Sequence, residues 1–452
     1  MNFDWEEKPL SELVTIKHGF AFKGEDFSEK PTAYVLTTPG NFAIGGGFRV
    51  GKKKFYSGAV PVNYKLKPGD LLVTMTDLRK QADTLGYPAW VPVGLPENYL
   101  HNQRVGLVEL KPNSIASKRW IYYLMRTSAY RGWIVNSASG STVKHTSPTR
   151  IGEFIACVPP PSVQKETIRI LDPIEATIAL LTAENTALEA MAQTLFRSWF
   201  VDFDPVHAKA VGKEPEAMSA ELAKLFPSEF EDSELGAIPK GWSVTPFSRA
   251  VAIHSGGTPK TSVPEYWGGD IPWFSVTDAP SDGQVFVLTT AKKITKEGLA
   301  HSPTKLLPRR ATIISARGTV GKIGMVEGYM TMNQSCYALA PIQGAGEYWV
   351  YFQTRGLVSQ LKQMAHGGVF DTITKSTFDG VKVVVPSNAI QHRFSQVCQP
   401  IFDFIANNGR LVATLTQLRD HLLPRLISGK LRIEDAEASF ATITSALETE
   451  PA

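Results

Sequence analysis

Trp5-x3-Pro9-x-Ser11-x2-Val14-x-Ile16-x2-Gly19 is repeated 237 residues later as Trp242-x3-Pro246-x-Ser248-x2-Val251-x-Ile253-x2-Gly256. Two further motifs recur in the same order. Trp120-x-Tyr122-x3-Arg126 returns as Trp349-x-Tyr351-x3-Arg355, and Pro159-x4-Gln164 returns as Pro386-x4-Gln391. A long amphipathic stretch follows each Pro-x4-Gln. The 452 residues therefore read as two similar modules, each ending in a long helix, and the repeat governs every later inference.

Within each module, short β-branched runs are cut by Gly and Pro. Asp70–Thr74, Val105–Leu110, Ala311–Ser315 and Val381–Val385 read as strands. Ser117 to Tyr130 and Gly346 to Gln363 have helical spacing and are expected to form one helix each. The fold class is α+β: two similar modules separated and joined by two long helices.

Leu171, Ile174, Ile178, Leu181, Asn185, Leu188, Ala192, Leu195 and Trp199 follow a 4-3 alternation. The second copy offers Cys398, Ile401, Ile405, Asn408, Val412, Leu415, Arg419, Leu422 and Leu426. Such a seam needs a partner helix, and each copy is the natural partner of the other. An antiparallel coiled coil is predicted in which Leu171 meets Leu422, Ile178 meets Leu415, Leu181 meets Val412, Asn185 meets Asn408 and Leu188 meets Ile405. The paired asparagines would fix the register. Residues 171–199 would rise about 42 Å as a helix, on the order of a dozen base pairs of duplex, so the rod could act as a ruler.

The expected divisions are a first module, 1–160; a first spacer helix, 161–201; an acidic connector, 202–240; a second module, 241–387; a second spacer helix, 388–433; and a flexible tail, 434–452. The connector, with Pro205, Pro215, Pro227 and Pro239, reads as solvated and holding one short helix at Ser219–Leu225.

Charge follows these divisions. Residues 1–160 carry 20 Lys+Arg against 13 Asp+Glu, and residues 241–385 carry 14 against 9. Residues 161–240 reverse the balance, 7 against 14. Basic modules suit a polyanion, because each neutralised phosphate releases counterions. Three scattered cysteines give neither a zinc spacing nor a disulfide framework, and no run of 18 apolar residues is present. A reducing cytoplasm, with no membrane partner, is the expected setting.

No catalytic site is legible. Gly318-Thr-Val-Gly-Lys322 has its glycines too close for a phosphate loop and Ile323 where Ser or Thr is required. No metal-binding histidine spacing and no cofactor motif is found. Duplex DNA contact instead calls for Lys, Arg and small polar donors on loops. Four stretches supply them: Arg49, Lys52, Lys53 and Lys54; Lys144, His145 and Thr146; Lys260 and Thr261; and Arg317, Thr319 and Lys322. Asn102-Gln103 and Asn333-Gln334 recur between modules and are expected to be structural.

Several longer stretches carry a resemblance. Gly256–Thr261 with Glu265–Trp273, Ser315–Gly321, Trp199–Pro205, Asp232–Trp242 and Leu422–Leu431 together resemble the specificity subunit of Type I restriction–modification systems. Gly19-Phe-Ala-Phe-Lys23 departs from the pattern that Gly256–Lys260 follows, which bears on the first module's specificity. The resemblance implies two target recognition domains, each reading half of a split asymmetric DNA site, with the helices setting the gap. It implies a non-catalytic subunit that binds no cofactor. Two methyltransferase subunits carrying S-adenosylmethionine would dock on it, and restriction/translocase subunits would join. Two other classes stay open at this point: a self-contained DNA-modifying enzyme, and a bivalent adaptor for proteins or glycans.

Overall fold

The computed structural model describes residues 5–51, 53–78, 81–96, 98–280, 283–342, 346–365 and 372–431. Residues 1–176 and 415–452 form one compact unit, and residues 177–414 another. Each unit holds one module and a part of each long helix.

In the first unit, Glu6–Pro9 pairs antiparallel with Ile155–Val158, closing the module where its chain enters and leaves. A four-stranded sheet runs in the order Val14–His18, Val105–Leu110, Leu71–Thr74, Pro88–Trp90. A second sheet holds Phe27–Ser28, Phe55–Tyr56, Tyr34–Leu36 and Asn98–Leu100, the last two parallel. The second unit repeats the plan. Ser243–Pro246 pairs with Lys382–Val385, and the main sheet runs Val251–Ser255, Cys336–Pro341, Thr312–Ser315, Ile323–Val326, with Phe286–Val287 added at the edge. Its smaller sheet places Trp267–Phe274 between Lys292–Ile294 and Thr331–Met332. Strand Leu71–Thr74 and its counterpart Thr312–Ser315 are wholly buried, which accounts for their uninterrupted apolar and threonine character.

The repeated motifs hold the modules together. Gln164 Nε2 donates to the carbonyl of Pro159 at 2.9 Å, and Gln391 Nε2 donates to that of Pro386 at 3.2 Å. Each glutamine thus ties its helix start to the strand just before it. Trp120 and Trp349 are fully buried. The Arg of each repeated motif grips a carboxylate on the first long helix, and in the second module the Tyr joins it. Arg126 Nη1 lies 2.8 Å from Glu175 and also donates to Tyr122 at 3.1 Å. Tyr351 donates to Glu189 at 2.5 Å, and Arg355 pairs with the same carboxylate.

The two long helices are Pro161–Phe200 and Asn388–Ile427. They pack antiparallel. In the first unit Arg419 reaches Glu175 at 3.2 Å. In the second, Trp199 and Phe394 meet ring to ring at 5.5 Å. The two asparagines do not bond each other, contrary to the predicted polar layer. Asn185 Nδ2 donates to the carbonyl of Ile405 at 3.3 Å, and Asn408 Nδ2 to Glu184 at 3.0 Å. The reason is unequal burial: Asn185 is 3% exposed, whereas Asn408 stands at the edge of the seam beside an exposed glutamate. Leu171, Ile405, Val412, Leu415 and Leu422 are buried, while Ile178, Leu181 and Leu188 are half-buried. The second helix also buries Phe402, Ala406, Leu418 and Leu423, a stripe wider than a two-helix seam, because it packs on sheet residues too.

Two expectations give way. Ser117–Tyr130 is not one helix but Lys118–Leu124 and the start of Ser128–Asn136, because Thr127 caps the second segment by accepting from Tyr130 N. The acidic connector is not a solvated strap. Asp204–Ala210, Ala220–Ala223 and a hairpin of Phe230–Ser233 with Gly236–Pro239 fold it, and Val206, Leu222, Phe226 and Ile238 enter the core beside Trp199 and Trp242. Most of its acidic residues stay on the outside, while these four apolar residues point inward. The expected tail, 434–452, lies outside the described residues.

Candidate nucleic-acid interface

Exposed cations stand at two corresponding places in the two modules. The first is the edge of the smaller sheet. In the first module Phe27 pairs with Tyr56, and Lys54 stands two residues before that partner. Lys54 Nζ lies 3.7 Å from the centre of the Phe27 ring. In the second module Trp267 pairs with Ile294, and Lys292 again stands two residues before the partner, with its Nζ 5.7 Å from the Trp267 ring. The same cation-over-ring arrangement therefore occupies the same register position in two modules of different sequence. A ring face holds an ammonium weakly and leaves it available to a stronger anion.

The loop Lys260–Thr261 joins this edge, because the Trp267 indole N–H donates to the carbonyl of Lys260 at 3.2 Å. Thr261, Trp267, Lys292 and Lys293 line a shallow hollow of about 390 Å³. Lys292 and Lys293 were not among the residues expected from sequence, although Lys296 follows them closely. Their signal is their register opposite Trp267. Arg49 is exposed two residues beyond Gly47, and its N–H donates to the carbonyl of Asn41 at 2.8 Å. Lys53 is half-buried, and Lys52 lies outside the described residues.

The second place is a junction of two loops. Lys144–His145 pairs with Thr76–Asp77, His145 Nδ1 sits 3.1 Å from Thr76 Oγ1, and Thr146 N donates to the Met75 carbonyl at 3.0 Å. In the second module Arg317 bridges Thr372, and Ile373 N donates to the Ala316 carbonyl at 3.0 Å. Met75 and Ala316 stand just after the equivalent buried strands, so these are the same junction. The sequence pointed to one of its loops in the first module and to the other loop in the second. Gly140 turns its loop at φ +92°, where a Cβ would meet the Val143 carbonyl oxygen at 2.0 Å.

The Ser315–Lys322 loop is held from within. Ser315 N donates to the Lys322 carbonyl at 2.9 Å, and Lys322 N donates back to Ser315 Oγ at 2.8 Å. Arg317, Gly318 and Thr319 form its exposed tip, and Lys322 is exposed at its base. Strands flank it on both sides, Thr312–Ser315 and Ile323–Val326, so it lacks the following helix that a phosphate loop requires.

Asn102 and Asn333 face inward to the repeated glycines, and their backbone carbonyls abut Gly19 and Gly256. Burial pushes the Cys336 and Cys398 thiols up to about 12, far from a reactive thiolate range. Among the described residues no group of His, Cys, Asp or Glu is placed to hold a metal ion, and no helix is long and apolar enough to cross a membrane.

This doubled architecture has relatives. The family model described as "Type I restriction modification DNA specificity domain" matches residues 2–190 and again residues 239–417. The chain belongs to that family of Type I restriction–modification specificity subunits. It is 28% identical over 379 residues to the Type I restriction enzyme HindI specificity subunit of Haemophilus influenzae, covering 74% of this chain and 82% of the relative. It is 22% identical over 447 residues to the EcoBI specificity subunit of Escherichia coli, covering 94% and 86%. The crystal structure of the Type I restriction–modification S subunit from M. genitalium shares the fold, with a TM-score of 0.53 at 14% identity over 94% of this chain and 96% of that one.

Proposed function

We propose that this chain is the sequence-reading subunit of a Type I restriction–modification complex, each module reading one half of a bipartite, asymmetric duplex DNA site. The observation that carries this reading is the doubled interface. Lys54 over Phe27 and Lys292 over Trp267 occupy one register position, and the Thr76/His145 and Arg317/Thr372 contacts occupy one loop junction. The sheet-edge lysines would meet phosphates and position each module. The loop junctions, richer in His, Thr and Arg, would meet base edges. The junction carries different residues in the two modules, as two half-sites of different sequence require.

The long helices would set the gap between half-sites and give the docking surface for two methyltransferase subunits, with restriction/translocase subunits joining that assembly in the cytoplasm. S-adenosylmethionine would be held by the methyltransferase subunits, and this chain would contribute no catalytic group.

Mapping methylated adenines in a host expressing the system tests the reading. Exchanging residues 1–150 for the first module of another family member should alter one half-site alone. Alteration of both halves, or of neither, would refute it. Inserting one heptad after Asn185 together with one after Asn408 should lengthen the gap and keep both half-sites. S-adenosylmethionine binding to the isolated chain would favour a self-contained enzyme instead, and a salt-insensitive DNA affinity would favour an adaptor.

A further inference from the structure

One exposed polar residue is the same at the same point of both modules. Gln103 and Gln334 are exposed, and each follows the asparagine of its repeated pair. The asparagine side chain braces the turn that carries the glutamine. Asn102 Oδ1 accepts from Gln103 N at 2.8 Å, and Asn333 Oδ1 accepts from Ser335 N at 3.0 Å. The glycines lock the same turn from the other side, since a Cβ on Gly19 or Gly256 would strike the carbonyl of Asn102 or Asn333.

This turn stands beside the loop junction in each module. The Arg104 carbonyl accepts from Met75 N at 3.0 Å, and the Ser335 carbonyl accepts from Ala316 N at 2.8 Å. Met75 and Ala316 are the residues that hold the junction loops. On its far side the turn meets the loop that follows the opening strand. Gln103 N donates to the Phe20 carbonyl at 3.0 Å. In the second module the contact is through side chains: Thr258 Oγ1 donates to Gln334 Oε1, and the chain runs on from Thr258 to Lys260. Gln334 thus lies between the sheet-edge lysines and the junction with Arg317.

We propose that Gln103 and Gln334 each donate to a phosphate oxygen of the DNA backbone, one in each half-site, and so set the register in which the junction loops meet the bases. The inference rests on the DNA-reading function proposed above. A glutamine can also read adenine, by accepting from N6–H and donating to N7. Two observations favour the phosphate. The junction residues differ between the modules, whereas the glutamine is the same, so its ligand is one that half-sites of different sequence share. In the second module the Thr258 hydroxyl already engages Oε1, the end that adenine N6–H would need, and leaves the Nε2 amino group as the donor. A phosphate oxygen asks only for a donor.

Fluorescence anisotropy of the full chain tests this, with the mapped cognate duplex and duplexes scrambled in one half-site. Gln103→Ala and Gln334→Ala should each weaken binding about tenfold, the worth of one hydrogen bond to a charged group, on cognate and scrambled duplexes alike. The slope of log affinity against log salt should stay as in the wild type, because the side chain is neutral. Gln334→Glu, nearest in shape, guards against misfolding of the alanine variants. It keeps the acceptor for Thr258 but replaces the donors with an anion, so it should weaken binding more than alanine does. Methylphosphonate placed singly through each half-site should find one position where the wild type loses affinity and the Gln103 or Gln334 variant loses no more. Binding as tight as the wild type, a loss confined to the cognate bases of one half-site, or a new preference for cytosine in Gln334→Glu would overturn the inference. Wild-type protein that fails to distinguish cognate from scrambled duplex would reject the DNA-reading function itself, and this inference with it.

Discussion

Gly256 faces the backbone of Asn333 so closely that a Cβ on it would lie 1.8 Å from the asparagine's carbonyl oxygen. Gly19 and Asn102 repeat the contact at 2.1 Å. These are the glycines that end the repeated opening motif, and the asparagines are the repeated pair just before strands Val105–Leu110 and Cys336–Pro341. The motif persists because two backbone segments touch there and neither can move aside.

Gly256→Ala should therefore destabilise the protein by about 3 kcal/mol or more, because the clash is with main chain rather than with a side chain that could rotate away. Gly318→Ala should cost less. It has φ +76° but open space around it, so only the left-handed backbone strain, on the order of 1 kcal/mol, applies. Urea melts of both variants measure the difference.

Lys54→Ala and Lys292→Ala should each weaken duplex binding to all sequences alike. Each should also reduce the slope of log affinity against log salt by about one phosphate's contribution. Arg317→Ala should act otherwise, costing about 1–3 kcal/mol on the cognate site and relaxing one half-site while the other is still read. Fluorescence anisotropy over a salt series, with cognate and half-site-scrambled duplexes, distinguishes the two patterns.

His101 is 2% exposed, with Nε2 2.9 Å from the Val105 carbonyl, and burial holds its protonation below the ordinary value of 6.5. The folded state thus takes up this proton less readily than the unfolded chain. The stability due to the neutral ring is complete above about pH 6.5 and is lost as pH falls from there through the lower folded value. Met332 occupies the equivalent position in the second module, as its carbonyl accepts from Gly257 just as the His101 carbonyl accepts from Phe20. His101→Met should flatten the acid limb of stability between pH 6.5 and 5, a comparison that urea titrations at each pH provide.

Glu175→Gln should cost about 3 kcal/mol, because one neutral amide would then face the buried Arg126 and the nearly buried Arg419 together. Glu6→Gln, which loosens only a surface pair with Lys8, should leave stability nearly unchanged. Thermal melts of the two variants give the contrast.

Much of this architecture was legible because the repeated residues are those whose replacement the backbone or the core forbids. The two tryptophans are fully buried, the two glutamines bond back to the preceding prolines, and the glycines meet carbonyls. Strand runs such as Val105–Leu110 could be read from their β-branched spacing. What stayed hidden depends on partners distant in sequence. Lys292 gains its meaning only from Trp267 across the sheet. Asn185 and Asn408 had the right spacing for a mutual bond. Their different depths, set by residues outside the heptad pattern, directed each to another acceptor.

The connector carries a lesson for recombination between systems. Phe226 stacks edge-on against Trp199 at 5.3 Å, and Phe203 meets Trp242 at 5.6 Å. Aromatic residues on either side of residues 202–240 are thus interlocked through it. A crossover inside that span would mate halves of one aromatic cluster that never evolved together. Hybrids spliced there should fold poorly, and natural shuffling of second modules should leave its seams outside the connector, so that the whole interlocked stretch is inherited as one piece.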